Sequence, residues 1–314
     1  MSRLIPFVAQ LSGPETTEWL IALRAVLPGY EVVALADCSP QQCAAAQMAI
    51  VANPHAADLD KLPHLQWVQS LWAGVEQLLL ATQHRDVAIV RMSDPQLAKT
   101  MAEAVLAWTL YLHRDMPRYR RQQSLRVWQQ HPIKLPAEQT VGILGLGNLG
   151  RMAAKKLCAH GFTVLGWRRS AAELEGVETF WGAAGFTAML QRVDILICLL
   201  PLTEKTRGLL DEDALARMPK GAALINFARG PIVDVSALVS ALNRNHLSHA
   251  VLDVFDEEPL PQTSLLWSHQ SITILPHVSA PTNQQTAARI VADNINRFFT
   301  EGEMPLSVDR VLGY

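Results

Sequence analysis

The sequence predicts an α/β protein built on two doubly wound parallel sheets. Three observations carry that expectation. Residues 140–170, TVGILGLGNLGRMAAKKLCAHGFTVLGWRRS, set a G-x-G-x-x-G turn between an apolar strand and a helix-like run. The first hundred residues alternate short apolar strands with helix-like segments, the pattern of a parallel sheet covered on both faces. A chain of 314 residues that is 49% hydrophobic and 18% charged has material for two cores and is too apolar to stay disordered.

Within the glycine unit, residues 141–144 are the continuous apolar run expected of a buried parallel strand. Gly145, Gly147 and Gly150 follow. At that spacing the first glycine permits a tight turn, the second lets backbone approach a pyrophosphate, and the third lets the helix pack on the strand. Residues 149–160 are predicted as the helix, whose N-terminus favours negative charge, and Gly161 closes it. Residues 162–167 form the next strand. The unit predicts a Rossmann-type dinucleotide-binding domain. An NAD site places an acid after that second strand, whereas this chain has Arg168, Arg169 and Ser170. Cations there suit a 2′-phosphate, so NADPH is expected in preference to NADH.

The first domain is predicted from strands at 4–9, 31–36, 48–52, 65–70 and 87–90, with helices such as 15–26 and 41–46 between them. Its most pointed feature is the loop SLWAGVE, 70–76, directly after a strand, where the ligands of such sheets bind. Its glycine makes this loop a candidate anion cradle. Residues 100–123 are predicted as one long helix, apolar nearly all round in its first half and basic in its second, suited to an interdomain or subunit contact. Arg118, Arg120 and Arg121 read as its solvated end rather than a nucleic-acid site. An extended arm, 127–136, leads into the glycine unit.

Beyond it come buried strands at 193–200, 222–227, 250–255 and 272–275. The first runs into Pro201, and the other three run into segments carrying Arg229, Glu258 and His277. In a parallel sheet these ends share one edge with the glycine turn, a clustering that packing does not require. A last helix, 283–299, is expected to rejoin the first domain. The predicted domains are 1–98 with 282–314, and 99–281.

Composition excludes other classes. A net charge of -2 gives no basic excess for nucleic acid, and no apolar run reaches the eighteen residues of a membrane span. The N-terminus reads as a first strand rather than an export signal. Cys38 and Cys43 lack a second pair or a histidine cluster, so no metal site is expected, and Cys158 and Cys198 read as buried small hydrophobes. A reduced, cytoplasmic protein is the expectation.

The motifs together resemble the D-isomer-specific 2-hydroxyacid dehydrogenases, and among them the A-type glyoxylate/hydroxypyruvate reductases. The likeness runs through SLWAGVE, MAEAVL, GLGNLG, LLPLTEKTRGLL, INFARGPIVD, LDVFDEEPLP, LPHVSAP and VDRVLGY, nearly the whole chain. It implies a flavodoxin-like substrate domain beside the Rossmann domain, a homodimer, and reduction of small 2-keto acids such as glyoxylate and hydroxypyruvate. It further implies Arg229, Glu258 and His277 as the catalytic set. Each type suits the chemistry. Imidazolium can give the carbonyl oxygen its proton. A carboxylate beside it orients the ring and pairs with its charged form, and a guanidinium holds a carboxylate bidentately. Glu258 adjoins Asp256 and Glu257, which alone would suggest a solvated loop, but it is the acid that precedes the proline as in the family motif.

By the same resemblance the amides of Leu146, Gly147, Asn148 and Leu149 hold the pyrophosphate. Leu200, Pro201 and Thr206 flank the adenosine half, while Phe227, Ala228, Asp253 and Ser279 line the cofactor and Asp253 meets the nicotinamide amide. The amides of Ala73 and Gly74 bind the substrate carboxylate, and Trp267 lies near the active site. Trp72 stands where the family has a small residue, and by the resemblance its indole would shrink or reshape the pocket. Two other readings stay open: a D-lactate or phosphoglycerate type of dehydrogenase, and a non-catalytic nucleotide-sensing scaffold of the same fold.

Overall fold

A computed structural model describes residues 3–313, and the chain divides into two compact units, Met1–Gln96 with Thr282–Tyr314, and Leu97–Pro281. The first runs β1 (Arg3–Ala9), α1 (Gly13–Val26), β2 (Tyr30–Ala34), α2 (Pro40–Ala45), β3 (Met48–Ala52), α3 (Ala56–Leu59), β4 (Trp67–Ser70), α4 (Glu76–Ala81) and β5 (Ala88–Val90). Its strands are all parallel in the order β2-β1-β3-β4-β5, the flavodoxin-like arrangement. The central strand β3 is buried throughout: Met48, Ile50 and Ala52 face one core and Ala49 and Val51 the other, the two-residue period of a strand covered on both sides. Ser12 and Glu15 form a reciprocal capping box that starts α1.

Next comes α5 (Pro95–His113), then α6 (Met116–Ser124). The single helix expected over 100–123 is therefore two, and the cause is Pro117. In a continuous helix that residue would have to donate to the His113 carbonyl, and proline has no N–H and a ring that strikes that oxygen. The chain breaks instead at Asp115, in the left-handed region with φ 55°. At the other end α5 begins earlier than expected, because Asp94 accepts the Gln96 N–H at 2.8 Å and Pro95 occupies the first helical position.

The second unit continues with β6 (Thr140–Leu144), α7 (Asn148–Ala159), β7 (Thr163–Arg168), β8 (Val177–Trp181), α8 (Gly182–Leu190), β9 (Ile195–Cys198) and α9 (Glu212–Arg217). It ends with β10 (Ala222–Asn226), α10 (Val235–Asn243), β11 (Leu247–Leu252) and β12 (Ile272–Ile274), and α11 (Gln284–Asn296) lies back in the first unit. The sheet is parallel with order β12-β11-β10-β9-β6-β7-β8. That is the doubly wound Rossmann order, with the reversal between β6 and β9. β8 lacks an apolar run and is only partly covered, as a sheet edge allows, so it escapes the periodicity reading. No helix among the described residues is long and apolar enough to cross a membrane.

Candidate active site

The glycine turn leaves β6 at the point where strand order reverses. Gly145 has φ +100°, and a Cβ there would come within 2.8 Å of the Leu199 carbonyl oxygen, so both conformation and space demand glycine. A Cβ on Gly150 would sit 1.9 Å from the Gly145 oxygen, so only glycine lets α7 close onto the turn. Around Gly147 the situation is opposite: a Cβ would meet nothing within 4 Å. Gly147 is also the N-cap of α7, and no side chain caps that helix. Leu146 packs its side chain under Gly166, leaving its backbone for the turn. Open space before an uncapped helix N-terminus is what a pyrophosphate requires, so these residues fit a dinucleotide.

Arg168 ends β7 half-buried, with Arg169 and Ser170 exposed beyond it. The Thr206 hydroxyl donates to the Pro201 carbonyl at 2.7 Å and accepts the Thr203 N–H at 2.8 Å, so its role is to shape the loop after β9. Leu200, Phe227 and Ala228 are buried.

The ends of β10, β11 and β12 are neighbours, and their loops are tied together. Buried Asn226 accepts the Ala228 N–H at 3.1 Å and donates to the Arg229 carbonyl at 3.0 Å, which turns the chain at Arg229. A Cβ on Gly230 would lie 2.1 Å from the Phe255 carbonyl carbon, so the β10 loop is pressed onto the β11 loop. Asp253 accepts the N–H groups of Val278 and Ser279 at 2.7 and 2.9 Å, clamping the loop after β12. Between these clamps His277 adopts φ 54°, and its Nδ1 lies 2.7 Å from Glu258 Oε2. The other Glu258 oxygen accepts the Phe255 N–H at 2.8 Å.

With Nδ1 engaged this way, Nε2 is the ring nitrogen left to meet another group. The His277 side chain is 51% exposed and that of Glu258 34%, so the ring is reachable and its partner less so. Arg229 donates through Nη1 to the Ala228 carbonyl at 2.7 Å, which sets the direction of its guanidinium. Ser279 Oγ is buried and has no hydrogen-bond partner among the described residues, a donor available to a polar group of the cofactor. Trp267 sits in a 3₁₀ turn, Leu265–Ser268, with its indole N–H on the Pro261 carbonyl at 3.0 Å. Asn226 escaped sequence reasoning, since a buried Asn at a strand end has no spacing signature. The signal was there in the ribbon of Asn226-Phe227-Ala228-Arg229-Gly230 itself, where an amide precedes a turn.

In the first unit, Trp72, Ala73 and Gly74 follow β4. The Trp72 indole is partly buried where the loop leaves β4. It packs edge-on against Trp19, centroids 6.0 Å apart, at the border of the core. The amides of Ala73 and Gly74 make no hydrogen bond within the described residues. The cysteines are all free, and burial pushes the Cys198 thiol up to about 12.

Residues 106–279 match the model of the D-isomer specific 2-hydroxyacid dehydrogenase NAD binding domain. The chain belongs to the D-isomer-specific 2-hydroxyacid dehydrogenases. It is 37% identical over 304 residues to glyoxylate/hydroxypyruvate reductase A of Serratia proteamaculans, covering 95% of this chain and 96% of that one. Among solved structures, a family member from Xanthobacter autotrophicus in complex with NADPH and MES aligns with a TM-score of 0.92 at 36% identity, over 98% of this chain and 99% of that one. An NADPH-dependent glyoxylate/hydroxypyruvate reductase from Sinorhizobium meliloti, in complex with NADP and sulfate, aligns with a TM-score of 0.90 at 35% identity. That match covers 99% of this chain and 100% of the other.

Proposed function

We propose that this chain reduces small 2-keto acids, glyoxylate and hydroxypyruvate, to glycolate and D-glycerate with NADPH. The observation that carries the reading is the 2.7 Å pair of His277 and Glu258, with Arg229 on the loop of the neighbouring strand β10, in the sheet that also carries the glycine turn. NADPH, when bound, supplies the hydride that goes to the carbonyl carbon. His277 Nε2 gives the proton to the carbonyl oxygen, and Glu258 keeps the ring in the tautomer and orientation that allow it. Arg229 polarises the carbonyl and binds the carboxylate. In the first unit, the amides of Ala73 and Gly74 are the groups suited to a substrate carboxylate. Backbone at Leu146–Leu149 carries the pyrophosphate, Arg168, Arg169 and Ser170 the 2′-phosphate, and Asp253 and Ser279 the nicotinamide amide.

A nucleotide sensor would have no use for a paired imidazole and carboxylate, which favours the enzyme. The protein acts in the cytoplasm as a homodimer. The support for a dimer is an arm whose apolar side chains stand in solvent: Leu125 is 66% exposed, Trp128 97% and Leu135 66%. The test of function is a panel of 2-keto acids with NADPH and NADH, followed through the nicotinamide absorbance. Turnover of glyoxylate or hydroxypyruvate with NADPH is expected. Preference for pyruvate would return the chain to the D-lactate type, and no turnover of any keto acid to the sensor.

A further inference from the structure

Gln69, the third residue of β4, is wholly buried in the first unit, and its amide is fully used. Nε2 donates to the Ser70 carbonyl at 3.0 Å and the Val90 carbonyl at 3.3 Å, and Oε1 accepts from Nδ2 of Asn294 on α11 at 2.8 Å. The opposite amide orientation would set oxygen against two carbonyls, so the network assigns it. The rest of the strand end is fixed as well. Leu71 N–H donates to the Val51 carbonyl at 2.9 Å, so the Ser70–Leu71 peptide is gripped at both its oxygen and its nitrogen. Ser70 Oγ accepts the Trp72 N–H, and the Trp72 carbonyl accepts the Met92 N–H, both at 3.0 Å. The next two amides, Ala73 and Gly74, have no hydrogen-bond partner among the described residues.

A polar pair in an apolar core costs stability unless it is satisfied, and two apolar side chains of similar shape would fill the same space. Around it α11 packs through Ala287, Ala288, Val291 and Ile295, so packing alone does not need it. We propose that the Gln69–Asn294 pair positions the Ala73–Gly74 amides for the substrate carboxylate, making both residues determinants of keto-acid affinity. This rests on the reading that those amides hold the carboxylate. Asn294, more than two hundred residues away in sequence, reaches that loop through one amide-to-amide bond.

The experiment measures KM for glyoxylate and for NADPH, kcat and Tm in Asn294→Leu, Asn294→Ala, the double variant Gln69→Leu/Asn294→Leu, and Gly74→Pro, which deletes one of the two amides. The single variants leave Gln69 Oε1 buried and unpaired, so Tm falls. The double variant removes both side-chain amides and recovers part of that Tm loss, since the Ser70 and Val90 carbonyls still lack the Gln69 donor. Its KM for glyoxylate nevertheless stays raised about tenfold, with KM for NADPH within about twofold, because loop misplacement weakens a grip common to ground and transition states. Should the double variant not fold, the two KM values of Asn294→Ala are read in the same way. Return of the glyoxylate KM to its original value in the double variant overturns the positioning role, as does a parallel rise in both KM values. Gly74→Pro keeps the two failures apart. An unchanged glyoxylate KM there removes the carboxylate reading itself, whereas a raised one beside a normal double variant removes only the positioning.

Discussion

His277 sits at φ 54°, a region few side chains other than Asn, Asp and Gly enter without cost, and the Asp253 clamp on the following two amides keeps it there. The cleanest variant is therefore His277→Asn, since Asn tolerates the same backbone. It should lose about 10²–10⁴-fold in kcat, the usual contribution of a general acid, while still binding NADPH, read through the change in protein tryptophan fluorescence. Near-normal turnover with cofactor bound would remove His277 from the mechanism. Arg168 makes a second residue-scale prediction. A hydrogen bond to a charged group contributes about 1.5–3 kcal/mol, and Arg168 is half-buried at the end of β7, which favours the lower part of that range. One such contact gives roughly a tenfold to hundredfold preference for NADPH over NADH. Arg168→Asp should remove that preference by weakening NADPH and sparing NADH. Equal kcat/KM for the two cofactors in the unaltered protein would show the arginine to be only a solvated cation.

At the scale of elements, β11 and β12 are joined near one end by His249, whose Nε2 lies 2.9 Å from Thr273 Oγ1. Burial, then the positive charges of His269 and Arg121, push this imidazole down from 6.5 to about 4. The unfolded chain binds the proton more readily, so the contribution to stability is complete above about pH 6.5 and is lost as pH falls toward 4. That amounts to about 3 kcal/mol across the window, at about 1.4 kcal/mol per pH unit. Urea midpoints from pH 7 to pH 4 should fall more steeply in the unaltered protein than in His249→Gln; identical slopes would acquit His249. The junction of β6 and α7 makes the other prediction. Gly150→Ala places a Cβ 1.9 Å from a backbone oxygen that has no freedom to retreat. It should cost about 3 kcal/mol or more, beyond ordinary overpacking, and abolish NADPH binding, whereas Gly147→Ala, with open space ahead, should fold normally. A Gly150→Ala protein that melts and binds cofactor as before would contradict this.

At the scale of the whole molecule, the exposed arm bears on assembly. Residues 125–135 present Leu125, Val127, Trp128, Ile133 and Leu135 to solvent, more apolar surface than an isolated loop usually keeps. A buried aromatic anchor at an interface typically carries about 2 kcal/mol or more. Trp128→Asp should therefore weaken a dimer by roughly thirtyfold or more. Sedimentation velocity at micromolar concentration should show a dimer for the unaltered chain and a shift toward monomer for the variant. A monomer in both cases would leave the arm without this role.

Local chemistry let the sequence determine much of this protein. Short buried strands announce themselves as apolar runs, and parallel pairing follows from their alternation with helices. The glycine turn was legible because its glycines fall at fixed spacing, and at Gly145 and Gly150 an added Cβ would come within 2.8 and 1.9 Å of a backbone oxygen. Arg229, Glu258 and His277 were legible because strand ends in a parallel sheet share an edge. What escaped depends on contacts that have no period. The break at Asp115 came from a proline four residues beyond the carbonyl it cannot bond, inside a pattern whose apolar spacing never faltered. The Trp72 ring turned to Trp19, a choice made by a neighbour more than fifty positions back in the chain. Asn226 and Gln69 acquired their tasks, and Asp253 its clamp on the loop after β12, only when distant loops and α11 came to rest beside them. Sequence sets which groups each strand end carries. The folded chain decides which buried amide and carboxylate hold those ends still, because hydrogen-bond geometry exists only after packing has placed both partners.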